Sequence, residues 1–303
     1  MKSDTIKGYV FALAATIAYS NVYIFSKAAL NDYPLAQFGM IWYIVVLALC
    51  FFFALLNGKL KQLAKLSRKQ LYILLLLGVL EIFTTTLFFL SIHIIPDPAV
   101  TSFLGNMYPV MVLLGGIFIL KEKFGVIEIF GGFLALLGTF VISYTGGHSI
   151  KTFFISGTGI VFLNALFATA ATLVVKTHVK KLGPELLNLN RAIWLFLFSV
   201  VMFFVLGNSP ATSASAFKNT LIGAFLEFIA ILTIYYSFSY IEASKSSIVQ
   251  SIKGIFVLLG AWIFFRTFPA TYQLIGGLIT ITGVLVMALA QAGFFKKNDS
   301  KRF

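Results

Sequence analysis

Acidic side chains are scarce in this chain. Asp and Glu together number 10 among 303 residues and Lys and Arg 23, so charged residues make up only 11%, against roughly a quarter in an ordinary soluble domain. A water-facing surface over a buried core cannot be built from so few charges, which sets the soluble globular class aside. Cysteine occurs once, as Cys50; a lone thiol excludes an internal disulfide framework and a thiolate metal site. The histidines, His93, His148 and His178, lie in or near different connections without metal-ligand spacing, so no metal is implied. No HExxH, GxSxG or Walker segment and no cluster of His with acid is present, and the connections are too short for a catalytic domain. An enzyme is not expected, and neither is a cofactor.

What is abundant is apolar. Hydrophobic residues make up 59% of the chain and the mean hydropathy is +0.97. A bilayer core about 30 Å thick takes roughly 20 apolar residues per helical crossing, and such runs follow one another almost end to end. About ten are counted on that criterion: Gly8 to Ala28, Leu35 to Leu56, Leu71 to Ile92, Ala99 to Leu120, Val126 to Tyr144, Ile155 to Val175, Leu186 to Leu206, Asn219 to Tyr240, Ser246 to Phe265 and Tyr272 to Gln291. The runs are apolar on every face, whereas barrel strands would alternate. The fold class is therefore an all-α polytopic membrane protein. The first run, after MKSDTIK, is long for a signal peptide and leads directly into further spans, so it is read as a retained helix. The aromatic fraction, 16% with 34 phenylalanines, is read as lipid-facing and packing residues.

The net charge of +13 is placed by topology. With the N-terminus inside, the cytoplasmic side collects Lys2, Lys7, Lys59, Lys61, Lys65, Arg68, Lys69, Lys121, Lys123, Lys176, Lys180, Lys181, Lys245, Lys296, Lys297, Lys301 and Arg302, while the other side keeps Lys27, Lys151, Lys218 and Arg266. This is the positive-inside asymmetry of a multi-pass protein of the cell inner membrane with both termini cytoplasmic. The basic charge answers to topology and anionic headgroups, not to nucleic acid.

The chain also repeats itself. Val112-Leu113-Leu114-Gly115 returns as Val257-Leu258-Leu259-Gly260, and at the same offset Gly131-Gly132 matches Gly276-Gly277 and Gly138 matches Gly283. Leu80-Glu81 matches Leu226-Glu227 with one position of slippage, Gly8 and Lys27 correspond to Gly157 and Lys176, and Pro34 pairs with Pro184. Each half holds about five spans, an odd number, so the second copy enters the membrane from the opposite side. Two inverted five-helix repeats are expected, residues 1–146 and 147–303, the second ending in a short basic tail. The paired glycines are read as close-packing positions.

These features carry a resemblance. The five-plus-five arrangement, the polar first span ending in lysine (AYSNVYIFSK, Ala18 to Lys27), the segment NMYPVMVLLGGIFILKEKFGVIEIFGG (Asn106 to Gly132) and GPELLNLNR (Gly183 to Arg191), with its proline followed by a membrane-embedded arginine, resemble the EamA-type members of the drug/metabolite transporter superfamily. The resemblance covers nearly the whole chain. It implies an inner-membrane carrier of small metabolites, often amino acids or related solutes, with a central cavity between the halves and the fifth and tenth spans toward the periphery. The chain departs from the pattern at Gly254 and Thr267, where the family usually has proline and glutamate, and at Ile41 and Trp42, where the first copy has no counterpart of Arg191.

The intramembrane charges are the candidate site. Glu81 and Glu227 lie near the midplane at related positions of the two copies, and a charge at that depth costs roughly 2.5 to 3.5 kcal/mol unless it faces the bundle interior or a wet cavity. Gly78, Thr84 and Thr85 give Glu81 a small, polar face; Gly223, Ala224, Ala230 and Ile231 give Glu227 a packed one. Arg191 and Lys253 lie within spans as well, and Lys253 shares a helical face with Ser246, Gln250 and Gly260. The four charges sum to zero. They either form neutralising ion pairs inside the bundle, with the cations free to snorkel, or contact substrate: arginine or lysine on a carboxylate or phosphate, a glutamate on an amino group or exchanging a proton. Tyr19, Ser20, Asn21, Ser102 and Asn106 are candidate cavity wall.

The expected function is a secondary transporter moving a small polar or zwitterionic metabolite by alternating access, with proton-coupled efflux as one mode and uptake or exchange of an amino acid or S-adenosylmethionine as the alternative. A channel would need a ring of like polar groups, whereas these charges are mixed in sign. The expected partners are a small-molecule metabolite and the lipid bilayer, with a homodimer as the candidate assembly.

Overall fold

The computed structural model describes residues 3–63, 65–119, 125–144, 154–206 and 211–291. Lys2, Lys121, Lys123, His148, Lys151, Lys296, Lys297, Lys301 and Arg302, all assigned above, lie outside them. The described chain is all-helical: α1 (Ser3–Leu30), α2 (Leu35–Leu56), a single turn α3 (Leu60–Leu63), α4 (Arg68–Ile94), α5 (Pro98–Leu104), α6 (Met107–Phe118), α7 (Val126–Ser143), α8 (Thr158–Leu182), α9 (Pro184–Leu206), α10 (Ala214–Tyr240), α11 (Ala243–Gln250), α12 (Lys253–Phe265) and α13 (Thr271–Gln291). Eight segments are long and apolar enough to cross a membrane, two of them made of the broken pairs α5–α6 and α11–α12; the apolar stretches Ile129–Ile142 and Thr271–Met287 are shorter. Together they match the spans read from the sequence.

Some helices run past the apolar windows. Hydropathy ends the sixth span at Val175, yet α8 continues to Leu182. The reason is electrostatic: Lys180 and Lys181 occupy the last turn, where cations complement the negative end of the helix dipole. Lys176, by contrast, is half-buried and tied down. Its ammonium donates to the carbonyls of Phe238 (2.7 Å) and Ile241 (2.6 Å) at the end of α10. Its repeat mate Lys27 donates likewise to Ile92 (2.9 Å), His93 (3.3 Å) and Ile95 (3.0 Å) at the end of α4. A lysine from the first helix of each repeat thus satisfies the orphan carbonyls that end the third.

The fourth and ninth spans are interrupted, which their apolar runs did not announce. Pro109 has no amide hydrogen to give Gly105, so the Gly105 carbonyl accepts from Tyr108 at 3.1 Å instead, and Asn106 bonds Phe103 at 3.1 Å. These tightened bonds break the helix at Gly105 and Asn106. The second copy breaks at Ser251 and Ile252 although Gly254 stands where Pro109 would be, with Gly254 bonding Ser251 (3.4 Å) and Ile255 bonding Ile252 (3.1 Å). The two breaks meet: Gly254 lies within 3.9 Å of the Asn106 amide nitrogen when a Cβ is built on it.

The paired glycines serve packing. α7 and α13 cross so closely that a Cβ on Gly276 would stand 2.8 Å from the Gly138 carbonyl oxygen, and one on Gly131 2.6 Å from that of Gly283. We expect Gly276→Leu to pry this pair apart at a cost of about 1–3 kcal/mol, read as a lower unfolding temperature in detergent. Gly159→Ala, at a position with nothing within 4 Å, is the control and should leave that temperature unchanged.

Candidate functional site

α4, α9 and α10 bring three intramembrane charges into one cluster. Arg191 Nε donates to Glu81 at 2.9 Å and Arg191 Nη2 to Glu227 at 2.7 Å. The same Nη2 donates to Thr85 Oγ1 at 3.1 Å, and the guanidinium sits 5.9 Å from the centre of the Tyr43 ring. Tyr235 donates its hydroxyl to Glu81 at 3.1 Å. Glu227 accepts from Tyr43 at 3.2 Å and from the indole nitrogen of Trp42. All three charged residues are buried, Glu227 to 2% exposure. One guanidinium between two carboxylates leaves a formal surplus of one negative charge in a place where charge is expensive.

The local sequence explains the placement. Gly183 takes a positive φ of 82°, which lets the chain turn from α8 into α9 without a loop. Pro184 opens α9, and Arg191 follows two turns in. A Cβ on Gly78 would meet the ring of Trp194 and one on Gly223 that of Trp42, so each glutamate helix carries a glycine that admits a tryptophan. That admission brings the Trp42 indole to Glu227.

Beside this cluster lies a cavity of about 110 Å³ between α1, α4, α6, α8, α10 and the break of α11 and α12, well above what a single water needs. Glu81, Arg191, Gln250 and Lys253 all line it, together with the phenols of Tyr19, Tyr23, Tyr108 and Tyr235. Tyr108 and Thr172 hydrogen-bond across the wall at 2.8 Å. Gln250 donates to Ser246 at 3.2 Å. Lys253 is 6% exposed and has no hydrogen bond or ion pair among the described residues. A second cavity, about 100 Å³ and largely apolar, lies between α2, α4 and α9. Thr85 lines both, and Tyr43 lines the second, so the Arg191 cluster stands between the two.

Of the residues singled out in the sequence, Glu81, Arg191, Gln250, Lys253 and Tyr19 therefore share one cavity. Glu227 is behind it, joined through Arg191. Asn106 is fully buried at the break in the fourth span, and neither of its side-chain polar atoms has a partner among the described residues. Asn21 is not brought in: it is half-buried and donates to Ile17 of its own helix at 2.9 Å. Sequence reasoning missed the aromatic ligands, Trp42, Tyr43, Tyr108 and Tyr235. The available signal was position: Trp42 and Tyr43 follow Ile41, the residue that the repeat register sets opposite Arg191.

A bundle of membrane-spanning helices in two inverted halves, with a buried charge cluster and a polar cavity between them, has the architecture of a membrane transporter. The chain belongs to the EamA-like transporter family, which matches it twice, over residues 6–144 and 155–289. It is 26% identical over 321 aligned positions to an uncharacterized transporter of Haemophilus influenzae (strain ATCC 51907 / DSM 11121 / KW20 / Rd), covering 98% of this chain and 100% of that one. It is 23% identical over 167 positions to the uncharacterized transporter YdfC of Bacillus subtilis (strain 168), covering 54% of each. A solved crystal structure superposes with a TM-score of 0.70 at 13% identity, over 93% of this chain and 98% of that one; this likeness speaks for the fold alone.

Proposed function

We propose that the protein is a secondary transporter of a small zwitterionic or anionic metabolite, such as an amino acid or a related solute, held in the central cavity while the repeats, residues 1–146 and 147–303, rock about it. The observation that carries this reading is the unpaired ammonium of Lys253 in the cavity wall. A buried cation without a counter-ion is costly, and a substrate carboxylate would neutralise it. Arg191 is already engaged by two carboxylates, so of the two intramembrane cations Lys253 is the anchor. The phenolic faces of Tyr19 and Tyr23 suit a substrate ammonium group, which gives the zwitterion both ends. A barrier with Thr85 on both sides supports alternating access, since a cavity lies to either side of it. The basic connections support an inner-membrane location with both termini cytoplasmic.

The surplus negative charge at Arg191 also favours proton exchange, because one proton on either glutamate makes the cluster neutral. In Glu81→Gln the surplus is gone and the remaining pair is balanced, so insertion and folding should be preserved while transport falls by about a hundredfold or more. Normal saturable transport by that variant would remove Glu81 from the mechanism. The carrier itself is tested in proteoliposomes: saturation and counterflow identify a carrier, flux without counterflow a channel, and conversion of the solute an enzyme.

A further inference from the structure

Neither cavity touches the lysine-rich end of the bundle. Between Asn57 and Tyr72 the chain carries Lys59, Lys61, Lys65, Arg68 and Lys69 and no acidic residue, and between Thr177 and Leu186 it carries Lys180 and Lys181 against the single acid Glu185. Glu185 is turned to Tyr236, whose hydroxyl it accepts. Lys61, Lys65, Arg68, Lys69, Lys180 and Lys181 form no ion pair among the described residues. Topology alone accounts for lysines at this end, but it does not require them to wall a pocket.

The fold builds one. Where the connection from α3 to α4 meets the junction of α8 and α9 there is a cavity of about 160 Å³, with Gln62, Lys65, Gln70 and Lys181 as its polar wall and Leu66, Leu182 and Leu186 as its apolar one. No carboxylate lines it. The two ammonium groups can only donate. Gln70 spends its side-chain carbonyl on the Ser67 amide at 2.9 Å, in the capping box that starts α4, so the end left to it is the NH2 donor. It also stands in the first turn of α4, where the helix dipole favours negative charge. Two cations and an amide donor around one space are complementary to an anion with several oxygens, as a phosphate is.

The apolar wall and the depth of the pocket choose the source of that phosphate. A soluble anion gains nothing from Leu66, Leu182 and Leu186, whereas the glycerol backbone of a lipid packs on them. The pocket lies at the start of the crossing segment Arg68–Ile94, where Leu71 and Tyr72 are 52% and 71% exposed, an apolar and aromatic pair suited to the membrane interface. We propose that the pocket binds the headgroup phosphate of an anionic phospholipid, with Lys65 and Lys181 on its oxygens, Gln70 donating beside them and the glycerol against the leucines. Basic pockets between membrane helices take such headgroups. Gln62, Lys65 and Gln70 fall in the first family match, residues 6–144, and Lys181 and Leu186 in the second, residues 155–289, so a single lipid joins the two halves at this end and stabilises the arrangement that forms the pocket.

The site uses neither the central cavity nor a transported solute, so its test is separate from that of the transport reading. The full-length protein in a neutral detergent is titrated with dioleoylphosphatidylglycerol, dioleoylphosphatidylcholine or inorganic phosphate, with binding followed by native mass spectrometry and the unfolding temperature read in parallel. Lys65→Gln with Lys181→Gln is compared with Lys61→Gln with Lys180→Gln, which removes the same charge from exposed lysines that do not line the pocket. Phosphatidylglycerol should bind and raise the unfolding temperature of the wild type and of the Lys61 and Lys180 variant. In the Lys65 and Lys181 variant its Kd should rise about tenfold or more and the temperature gain should vanish. Phosphatidylcholine and inorganic phosphate at the same concentrations should do neither. Equal weakening in both variants would reveal diffuse attraction to a basic surface, phosphatidylcholine as effective as phosphatidylglycerol would remove the anionic headgroup, and inorganic phosphate as effective as the lipid would make the ligand a soluble anion; each overturns the proposal.

Discussion

Arg191→Met is expected to cost about 3–5 kcal/mol of stability and to leave little monodisperse protein in detergent. The substitution preserves most of the side-chain volume but strips the charge from between two carboxylates that are 8% and 2% exposed. Glu81 and Glu227 then keep, among the described residues, hydrogen bonds from Tyr235, Tyr43 and Trp42 alone. The effect is one of charge imbalance, so it has a specific remedy: adding Glu81→Gln and Glu227→Gln to Arg191→Met should recover most of the loss. Size-exclusion profiles and unfolding temperatures of the single and triple variants decide it. A triple variant as unstable as the single one would mean that Arg191 acts through packing.

Lys253→Met should do the reverse, losing transport while gaining stability. An ammonium buried without a partner carries an uncompensated cost of about 2.5 to 3.5 kcal/mol on insertion scales, and methionine removes it at similar length. The unfolding temperature of the unliganded protein should rise. Transport should fall by about a hundredfold, the equivalent of losing one charge-assisted contact of roughly 3 kcal/mol. The combination separates a binding residue from a structural one, because truncating a structural cation would lower stability and activity together. Equal loss of both would return Lys253 to the framework.

The fold was legible because a bilayer imposes a simple rule on the chain: apolar runs of crossing length, separated by short polar connections. Repeat pairs such as Gly138 with Gly283 and Glu81 with Glu227 were visible in the sequence, and the structure shows why they recur, the glycines at a helix crossing and the glutamates on one arginine. The breaks in the fourth and ninth spans were hidden since Gly105, Asn106, Ser251 and Ile252 interrupt hydrogen bonding without interrupting hydropathy. Lys27 and Lys176 counted as topology charges, but both lie against helix ends, a tertiary fact that no local pattern encodes. At the site, the four charges were found from depth alone. Which cation pairs and which stays free depended on how α9 meets α4 and α10, and the aromatic partners were masked by a composition with 34 phenylalanines, in which an aromatic side chain reads first as packing.

The most direct test of the account is a thermal-shift comparison of the purified wild-type protein with Lys253→Met against a panel of amino acids, organic acids, nucleosides and organic cations. A zwitterionic or anionic solute is expected to stabilise the wild type and leave the variant unmoved, since a ligand that binds the folded state alone raises its stability as the logarithm of one plus concentration over Kd. Stabilisation by cations alone, or equal stabilisation of both proteins by the same anion, would contradict it.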